Sequence, residues 1–200
     1  ESIGDELHLM IDVGAVWGTN VEEAEKRNNL FKNSKITWLE EPFYSDAFFE
    51  YSELYKKTNL PLAGGESCHS IESAKNMIRY GKVKFIQIDA GIVGGIIAGK
   101  EICDYAEKSD VQYVNHTFTS HLQLSASLQP YANSSKSVFA EFPQQLKPLA
   151  WDLTDNHINL DENGNINLPE KIGHGMQINQ KAFEQYKVDV DIYINKEKVF

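Results

Sequence analysis

The 200-residue sequence is poor in positive charge and in cysteine. Lysine and arginine number 19 against 29 aspartates and glutamates, which gives a formal net charge of -10 at pH 7. Because excess negative charge repels phosphate, we expect neither nucleic acid nor an anionic membrane as a partner. The two cysteines, Cys68 and Cys103, form no disulfide framework, which favours a cytoplasmic location.

Long hydrophobic runs are also missing. No stretch approaches the roughly 20 apolar residues that cross a bilayer, and no basic segment followed by an apolar one opens the chain. We therefore expect no membrane association. The hydrophobic content of 42% is nevertheless enough for one sizeable core, so we predict a single main domain.

The sequence does contain a recurring change from an apolar stretch to a polar side chain. The clearest example is Thr37-Trp38-Leu39-Glu40-Glu41-Pro42, where two acids and a proline end an apolar run. Proline cannot donate to a continuing strand ladder, so the strand must stop there. Similar changes end at five other polar residues, Asp12, Glu66, Asp89, His116 and Glu141, and together with Glu40 consecutive members are 23 to 28 positions apart.

This spacing leaves room for one strand and one helix in each repeat. The predicted strands cover residues 7–12, 36–40, 62–66, 85–89, 111–115 and 137–140. The first predicted helix covers about 21–32 with Asn20 as N-cap, and the second is capped by Asp46 and places Phe49, Leu54 and Tyr55 in the core. The third runs from Ser70 to Gly81, and the last covers 121–131. Between them, a helix following Gly94-Gly95 has these residues on its buried face: Ile96, Ile97, Ala98, Ile102, Cys103 and Ala106. Beyond Glu141 we predict loops, a hairpin turn at 161–165 and a last strand over Val188–Ile194.

Alternating strands and helices predict a parallel sheet with right-handed crossovers. Two architectures fit, an open doubly wound sheet and a (β/α)8 barrel of the TIM type. A polar group at the end of every strand favours the barrel, whose sites collect side chains from many strand ends. The glycine-rich first turn that is typical of an open nucleotide-binding sheet is absent. Since six strands cannot close such a barrel, we expect two βα units to be missing at the N-terminus.

Asp12, Glu40 and Glu66 end three consecutive predicted strands. Neighbouring strands lie about 4.8 Å apart, so these carboxylates can converge on one ion. Three carboxylates, completed by water and a substrate oxygen, suit a hard divalent cation, and we predict Mg²⁺. The alternative is three solvated loop acids in an acidic protein.

Asp89 and His116 end the next two predicted strands. A carboxylate that bonds one imidazole nitrogen makes the other nitrogen more basic, so His116 is a candidate general base. The alternative is an ordinary histidine beside a solvated aspartate. Glu141, at the following strand end, is a candidate hydrogen-bond donor to developing oxyanion charge if it keeps its proton.

The polar strand ends resemble those of the enolase superfamily, and most closely its mandelate racemase-like branch. The resemblance covers Glu1 to about Ile178 and lies in these segments: Ile11-Asp12-Val13-Gly14, Trp38-Leu39-Glu40-Glu41-Pro42, Gly64-Gly65-Glu66-Ser67, Asp89 five residues before Gly94-Gly95, and Val114-Asn115-His116-Thr117. It implies a catalytic barrel portion over 1–178 and a tail over 179–200 whose short strand packs on the barrel or on an α+β capping domain.

The resemblance also implies site roles. Asp12, Glu40 and Glu66 become Mg²⁺ ligands, Asp89 and His116 the base dyad, and Glu141 the group that faces the substrate carboxylate. The expected reaction removes the proton alpha to that carboxylate, followed by dehydration of a sugar acid. Racemisation, epimerisation, cycloisomerisation and a metal-binding barrel without turnover remain alternatives, as does a Schiff-base lyase.

Two departures from the family pattern bear on function. Gly14 stands where the family commonly has asparagine. The Lys-x-Lys motif that the family carries on its second barrel strand, and its capping domain, are absent from these residues. We therefore expect these 200 residues alone to be inactive or unfolded, and the complete protein to associate as a homo-oligomer.

Overall fold

The computed structural model describes residues 4, 7–31, 33–144, 146–188, 190–191 and 193–198. Within these residues, five parallel strands form one sheet in the order β1-β2-β3-β4-β5. The strands are β1 (Leu9–Asp12), β2 (Ile36–Glu40), β3 (Leu62–Gly64), β4 (Phe85–Ile88) and β5 (Gln112–Asn115).

Helices connect these strands and continue beyond them. They are α1 (Val21–Asn28), α2 (Phe48–Thr58), α3 (Ile71–Asn76), α4 (Ala90–Val93), α5 (Ile96–Lys108), α6 (His121–Leu128), α7 (Pro148–Asp152) and α8 (Gln180–Gln185). Short 3₁₀ segments (Asn29–Phe31, Gln129–Asn133) extend α1 and α6, and a π-helical turn (Met77–Gly81) extends α3.

The strand order follows the chain without reversal. In an open doubly wound sheet the order reverses at a switch point and helices cover both faces. Here one large core joins sheet residues such as Leu39, Ile86 and Tyr113 to α1, α2, α3 and α5. The chain therefore forms part of a (β/α) barrel wall, and the predicted fold class is confirmed.

The opposite face of the sheet carries a smaller apolar layer of Trp38, Ala63, Phe85 and Val114, with Phe139 packed against it. The Trp38 and Phe85 rings lie 4.8 Å apart, and Phe139 lies 5.6 Å from Trp38. This layer faces the barrel interior and lies one step below the strand ends.

The sixth predicted strand is wrong, because residues 137–140 form no ladder with β5. Side chains there accept the hydrogen bonds that the N–H groups of β5 would otherwise donate to a neighbouring strand. The Tyr113 N–H donates to Ser137 Oγ at 3.1 Å, and the Asn115 N–H donates to Tyr131 Oη at 2.8 Å. The Asn115 side chain then exchanges two 3.0 Å hydrogen bonds with the Glu141 backbone. The segment still runs to the edge of the sheet, but without strand geometry.

The second helix also differs from the prediction. Its N-cap is Ala47 instead of Asp46, because a turn closed by the Ala47 N–H to Tyr44 O bond (3.0 Å) places Ala47 at the boundary. Phe49 is 70% exposed and Tyr55 is 38% exposed, so these two core predictions are wrong, and the buried face carries Tyr51 and Leu54. Tyr51 decides this rotation, since its ring packs edge-on against Phe43 at 5.6 Å.

Other helix predictions are confirmed with small changes. The side chains of Asn20 and Ser70 cap α1 and α3. In α5 the predicted buried face holds for most positions, but Ile97 is 82% exposed. The predicted helix over 121–131 is α6, which passes into a 3₁₀ turn at Gln129, one residue before Pro130.

The last part of the chain contains short elements. A bridge between Leu160 and Ile166 confirms the predicted turn at 161–165. The predicted strand over Val188–Ile194 is wrong for Val188 and Val190, which are irregular, while Ile192 lies outside the described residues. Two short strands, β6 (Tyr193–Ile194) and β7 (Glu197–Lys198), pair there. The division into 1–178 and 179–200 stays a prediction. No helix in the described ranges is long and apolar enough to cross a membrane.

Candidate active site

The alternation of side chains along the strands directs polar groups into the barrel. Trp38, Phe85 and Val114 face the interior. Residues two positions further along an extended chain point to the same side. Glu40, Gln87 and His116 therefore stand above the apolar layer at the carboxyl edge of the sheet.

All six predicted site residues lie at this edge. Asp12 and Glu40 are direct partners in the register of β1 and β2. Glu66 follows β3 by two residues, while Asp89 and His116 directly follow β4 and β5. Glu141 reaches the same edge through its hydrogen bonds to Asn115.

Glu40 is buried among other carboxylates. The Trp38 indole N–H donates to Glu40 Oε2 at 3.0 Å. Burial raises the pKa of Glu40, and the negative charges of Asp12 and Glu66 raise it further. These three acids thus lie close enough to repel one another, as expected for groups that share one site.

The three carboxylates are not gathered around a single point, however. Within the described residues, no group of three histidines, cysteines or acids lies close enough together to hold a metal ion. Glu66 instead directs Oε2 towards His116 Nε2, at a distance of 3.3 Å. The sequence prediction therefore places the acids at one edge correctly, and their joint coordination of an ion stays a prediction.

Asp89 and His116 form the predicted pair. His116 is 8% exposed, and its Nδ1 lies 3.1 Å from Asp89 Oδ2. Asp89 Oδ1 accepts hydrogen bonds from the N–H groups of Gly91 and Ile92 and from the Gln123 side chain. Asp89 is thus fixed as the N-cap of α4, and it fixes the imidazole in turn.

Opposing effects act on His116. Burial lowers the pKa of His116, but the hydrogen bond to Asp89 and the charges of Glu66, Glu141 and Asp89 raise it by more. Its Nε2 is buried and makes no hydrogen bond within the described part of the chain, although Glu66 Oε2 lies 3.3 Å from it. The nitrogen that is free to exchange a proton therefore faces the acids.

The surroundings of Glu141 favour its protonated form. Burial and the nearby charge of Glu40 raise the pKa of Glu141 to about 7. The Gln87 side chain donates to its Oε1 at 2.8 Å. The other oxygen is then free to carry a proton and to act as a donor.

Sequence reasoning missed Gln87 and Gln123. Gln87 is fully buried and lies two residues before Asp89, so strand alternation could have revealed it. Gln123 lies on the first turn of α6 and reaches Asp89 only through the fold. No signal in the sequence connects those two positions.

A wall of parallel strands and helices whose carboxyl edge carries acids and a histidine–carboxylate pair is typical of barrel enzymes. The model of the enolase C-terminal domain-like family matches residues 1–182, and the chain belongs to this family.

Curated relatives include two enzymes that act on sugar acids or their lactones. The chain is 28% identical to D-galactarolactone cycloisomerase from Agrobacterium fabrum, over 94% of this chain and 51% of that protein. It is 29% identical to L-talarate/galactarate dehydratase from Salmonella typhimurium, over 74% of this chain and 37% of that protein. The chain thus spans about half or less of the length of these relatives.

A solved structure agrees with this assignment. The crystal structure of a predicted mandelate racemase from Rhodobacter sphaeroides superposes with a TM-score of 0.91 at 39% identity, covering all of this chain and 51% of that one.

Proposed function

We propose that this chain is the catalytic barrel portion of a Mg²⁺-dependent enzyme that removes the proton alpha to the carboxylate of a sugar acid and dehydrates it. The observation that carries the proposal is the His116–Asp89 pair. One imidazole nitrogen is bound by a fixed carboxylate, while the other is buried and faces the acids, with Glu66 Oε2 at 3.3 Å. Metal storage alone would need no such base.

His116 supplies the proton acceptor. Asp89 orients the ring through Nδ1, so that the lone pair of Nε2 is presented at the site. General-base assistance of this kind contributes about 10² to 10⁴ in rate. Phe118 packs edge-on against the His116 ring at 4.8 Å and restricts its movement.

Glu141 supplies the donor on the other side. Removal of the α-proton moves negative charge onto the carboxylate oxygens of the substrate. Because the pKa of Glu141 is raised to about 7, this side chain is protonated in a large fraction of the protein molecules near neutral pH. A protonated carboxyl can donate a hydrogen bond to that growing charge, which a carboxylate cannot.

Asp12, Glu40 and Glu66 would hold the cation. Their oxygen donors suit a hard divalent ion. Burial, and to a smaller extent the charges of Asp12 and Glu66, raise the pKa of Glu40, and a cation would relieve that repulsion. When bound, Mg²⁺ supplies positive charge that attracts the substrate carboxylate and stabilises the charge developing on it.

The fate of the deprotonated substrate defines the reaction. Loss of a β-hydroxyl with one proton, as water, gives an enol that becomes a 2-keto acid. The dehydratases among the curated relatives support this outcome. The cycloisomerases among them support a second candidate, in which proton transfer accompanies opening or closing of a ring.

The experiment uses the full-length protein with Mg²⁺, a panel of sugar acids, their lactones and 2-hydroxy acids, and deuterated water. NMR reports both the products and the exchange of the α-proton. We expect a 2-keto acid from at least one sugar acid, and a loss of at least 100-fold in His116→Asn. The matched control is His69→Asn, which removes an exposed histidine.

The outcomes separate the candidates. Exchange without dehydration would replace the dehydratase by a racemase or epimerase, and ring products would replace it by a cycloisomerase. Turnover that is unaffected by His116→Asn would contradict the assignment of the base. A homo-oligomeric, cytoplasmic protein with a small carboxylate substrate remains the expectation for the complete molecule.

A further inference from the structure

Glu41 directly follows the predicted ligand Glu40 but occupies a different environment. Its side chain is only 5% exposed, although glutamate is among the residues least often buried. Its backbone has φ = 43°, in the left-handed region that costs free energy for a residue with a Cβ. A buried acid in a strained backbone conformation is retained only where its surroundings stabilise it.

The contacts of Glu41 join three neighbouring strand ends. Its N–H donates to Ala63 O at 3.1 Å, and its C=O accepts from the Ala15 N–H at 2.6 Å. Its side-chain Oε1 accepts from the Gly65 N–H at 2.9 Å. Ala15, Glu41 and Gly65 lie next to or close after the three predicted ligands, so one residue connects all three ligand-bearing segments.

The Gly65 N–H belongs to the residue immediately before Glu66. Gly65 has φ = 119°, and a Cβ there would lie 2.6 Å from Ile86 Cδ1. The backbone is therefore pressed against β4 and cannot shift in that direction. The hydrogen bond that the Gly65 N–H donates to Glu41 Oε1 holds this residue from the side of β2.

We infer that Glu41 is a positioning residue for the cation site, and that its side-chain oxygen fixes the turn that carries Glu66. The role depends on the reach of that oxygen, since the group it meets is a neutral backbone N–H. This assignment rests on the proposed function, in which Asp12, Glu40 and Glu66 hold the cation.

Two substitutions separate the effect of the side-chain length of Glu41 from the effect of its charge. Glu41→Gln keeps an oxygen at the same distance from the backbone and removes the charge. Glu41→Asp keeps the charge and withdraws the oxygen by about one bond length, ~1.5 Å. Aspartate tolerates the left-handed backbone region better than glutamate, so backbone strain cannot account for a defect in this variant.

The experiment measures Mn²⁺ affinity of the full-length protein by electron paramagnetic resonance, together with the free energy of unfolding without metal. Mutation of a residue that orients a metal ligand typically lowers the affinity for the metal by about 10 to 100-fold. We expect the Kd for Mn²⁺ to rise by that factor in Glu41→Asp and to stay within about threefold of wild type in Glu41→Gln. Glu53→Asp, an acid of the exposed pair with Lys56, is the matched control and should change nothing.

Several results would overturn the inference. Equal Mn²⁺ affinity in the Asp and Gln variants would do so, as would a defect confined to Glu41→Gln, which would assign the role to charge. If Glu41→Asp does not fold, Glu41→Met retains the length without an acceptor, and Mn²⁺ binding by it at wild-type affinity would be equally decisive. Failure of the wild-type protein to bind Mn²⁺ would overturn the proposed function and this inference together, whereas the variant results concern the inference alone.

Discussion

At the scale of single residues, identical side chains acquire different properties from their surroundings. Glu40 and Glu41 are consecutive, yet Glu40 meets the Trp38 indole inside the barrel and Glu41 meets the Gly65 backbone. The left-handed conformation of Glu41 interrupts strand alternation and separates the two carboxylates. Burial raises the pKa of both, in the case of Glu41 to about 7.

His121 gives a prediction for the pH dependence of stability. It is 1% exposed, and its Nδ1 accepts a hydrogen bond from the Ile158 N–H at 3.2 Å, so the ring is neutral. Burial, together with nearby His157, lowers the pKa of His121 to about 4. Between pH 6.5 and 4, His121 is therefore protonated in the unfolded state but still neutral in the folded state. Stability is complete above pH 6.5 and falls as the pH decreases, by roughly 2 to 3 kcal/mol at pH 4.

The measurement is urea unfolding of the full-length protein at several pH values. The stability deficit of His121→Asn relative to wild type should shrink between pH 7 and pH 4, because the variant lacks this titration. His69→Asn, at an exposed position, should follow the wild-type curve. Parallel curves for wild type and His121→Asn would contradict the prediction.

At the scale of elements, helix caps and turns determine where each repeat stops. In α3 the Ser70 Oγ accepts from the Ser73 N–H at 3.1 Å, and Ser73 Oγ accepts from the Ser70 N–H at 3.2 Å. This reciprocal arrangement satisfies two donors that a helix start would otherwise leave unpaired.

Removing this cap should destabilise the protein. We expect Ser70→Ala to lower the free energy of unfolding by about 1 kcal/mol. Ser34→Ala, at an exposed serine in the turn before β2, is the control and should stay within about 0.5 kcal/mol of wild type. Equal effects of the two substitutions would show that the cap contributes nothing.

The turn after β3 tolerates only glycine at Gly65. An alanine there would combine a positive φ with contacts of 2.6 Å to Ile86 Cδ1 and 3.0 Å to Gln87 O. Gly95 also has a positive φ, 94°, but a Cβ there meets nothing within 4 Å. Gly65→Ala should therefore cost more stability than Gly95→Ala, by about 1 to 3 kcal/mol in urea unfolding. A smaller cost at Gly65 would mean that the turn adjusts freely.

At the scale of the whole molecule, a wall of parallel strands collects acids that are far apart in sequence. The resulting repulsion is unfavourable in the absence of a cation, so binding of the proposed cation would increase stability. The net charge of -10 adds to this effect.

Mg²⁺ should accordingly stabilise the complete protein. At a free concentration of 100 times Kd, binding to the folded state alone adds about 2.7 kcal/mol. Thermal unfolding with Mg²⁺ and with EDTA measures this shift. Glu40→Gln should largely remove the shift, whereas Glu53→Gln, at an exposed acid, should retain it. A wild-type protein whose Tm is the same in Mg²⁺ and in EDTA would contradict the cation site.

Much of this architecture could be predicted because its signals are local. Apolar stretches that end in a polar residue define strands, and their even spacing implies a crossover helix in each repeat. The polar residues that end or directly follow the five strands therefore follow from the sequence, together with the caps at Asn20 and Ser70. The predicted strand at 137–140 failed because its hydrogen bonds are made by the side chains of Asn115, Tyr131 and Ser137.

The sequence alone determined which residues meet at the carboxyl edge, because parallel strands in sequential order must bring their ends together. Only the tertiary structure decided how those residues are oriented. Gln87, Gln123 and Glu41 acquire their partners through contacts 24 to 54 positions apart in the chain. Burial and neighbouring charge, which set the pKa values of Glu141 and His116, likewise exist only once the strands are side by side.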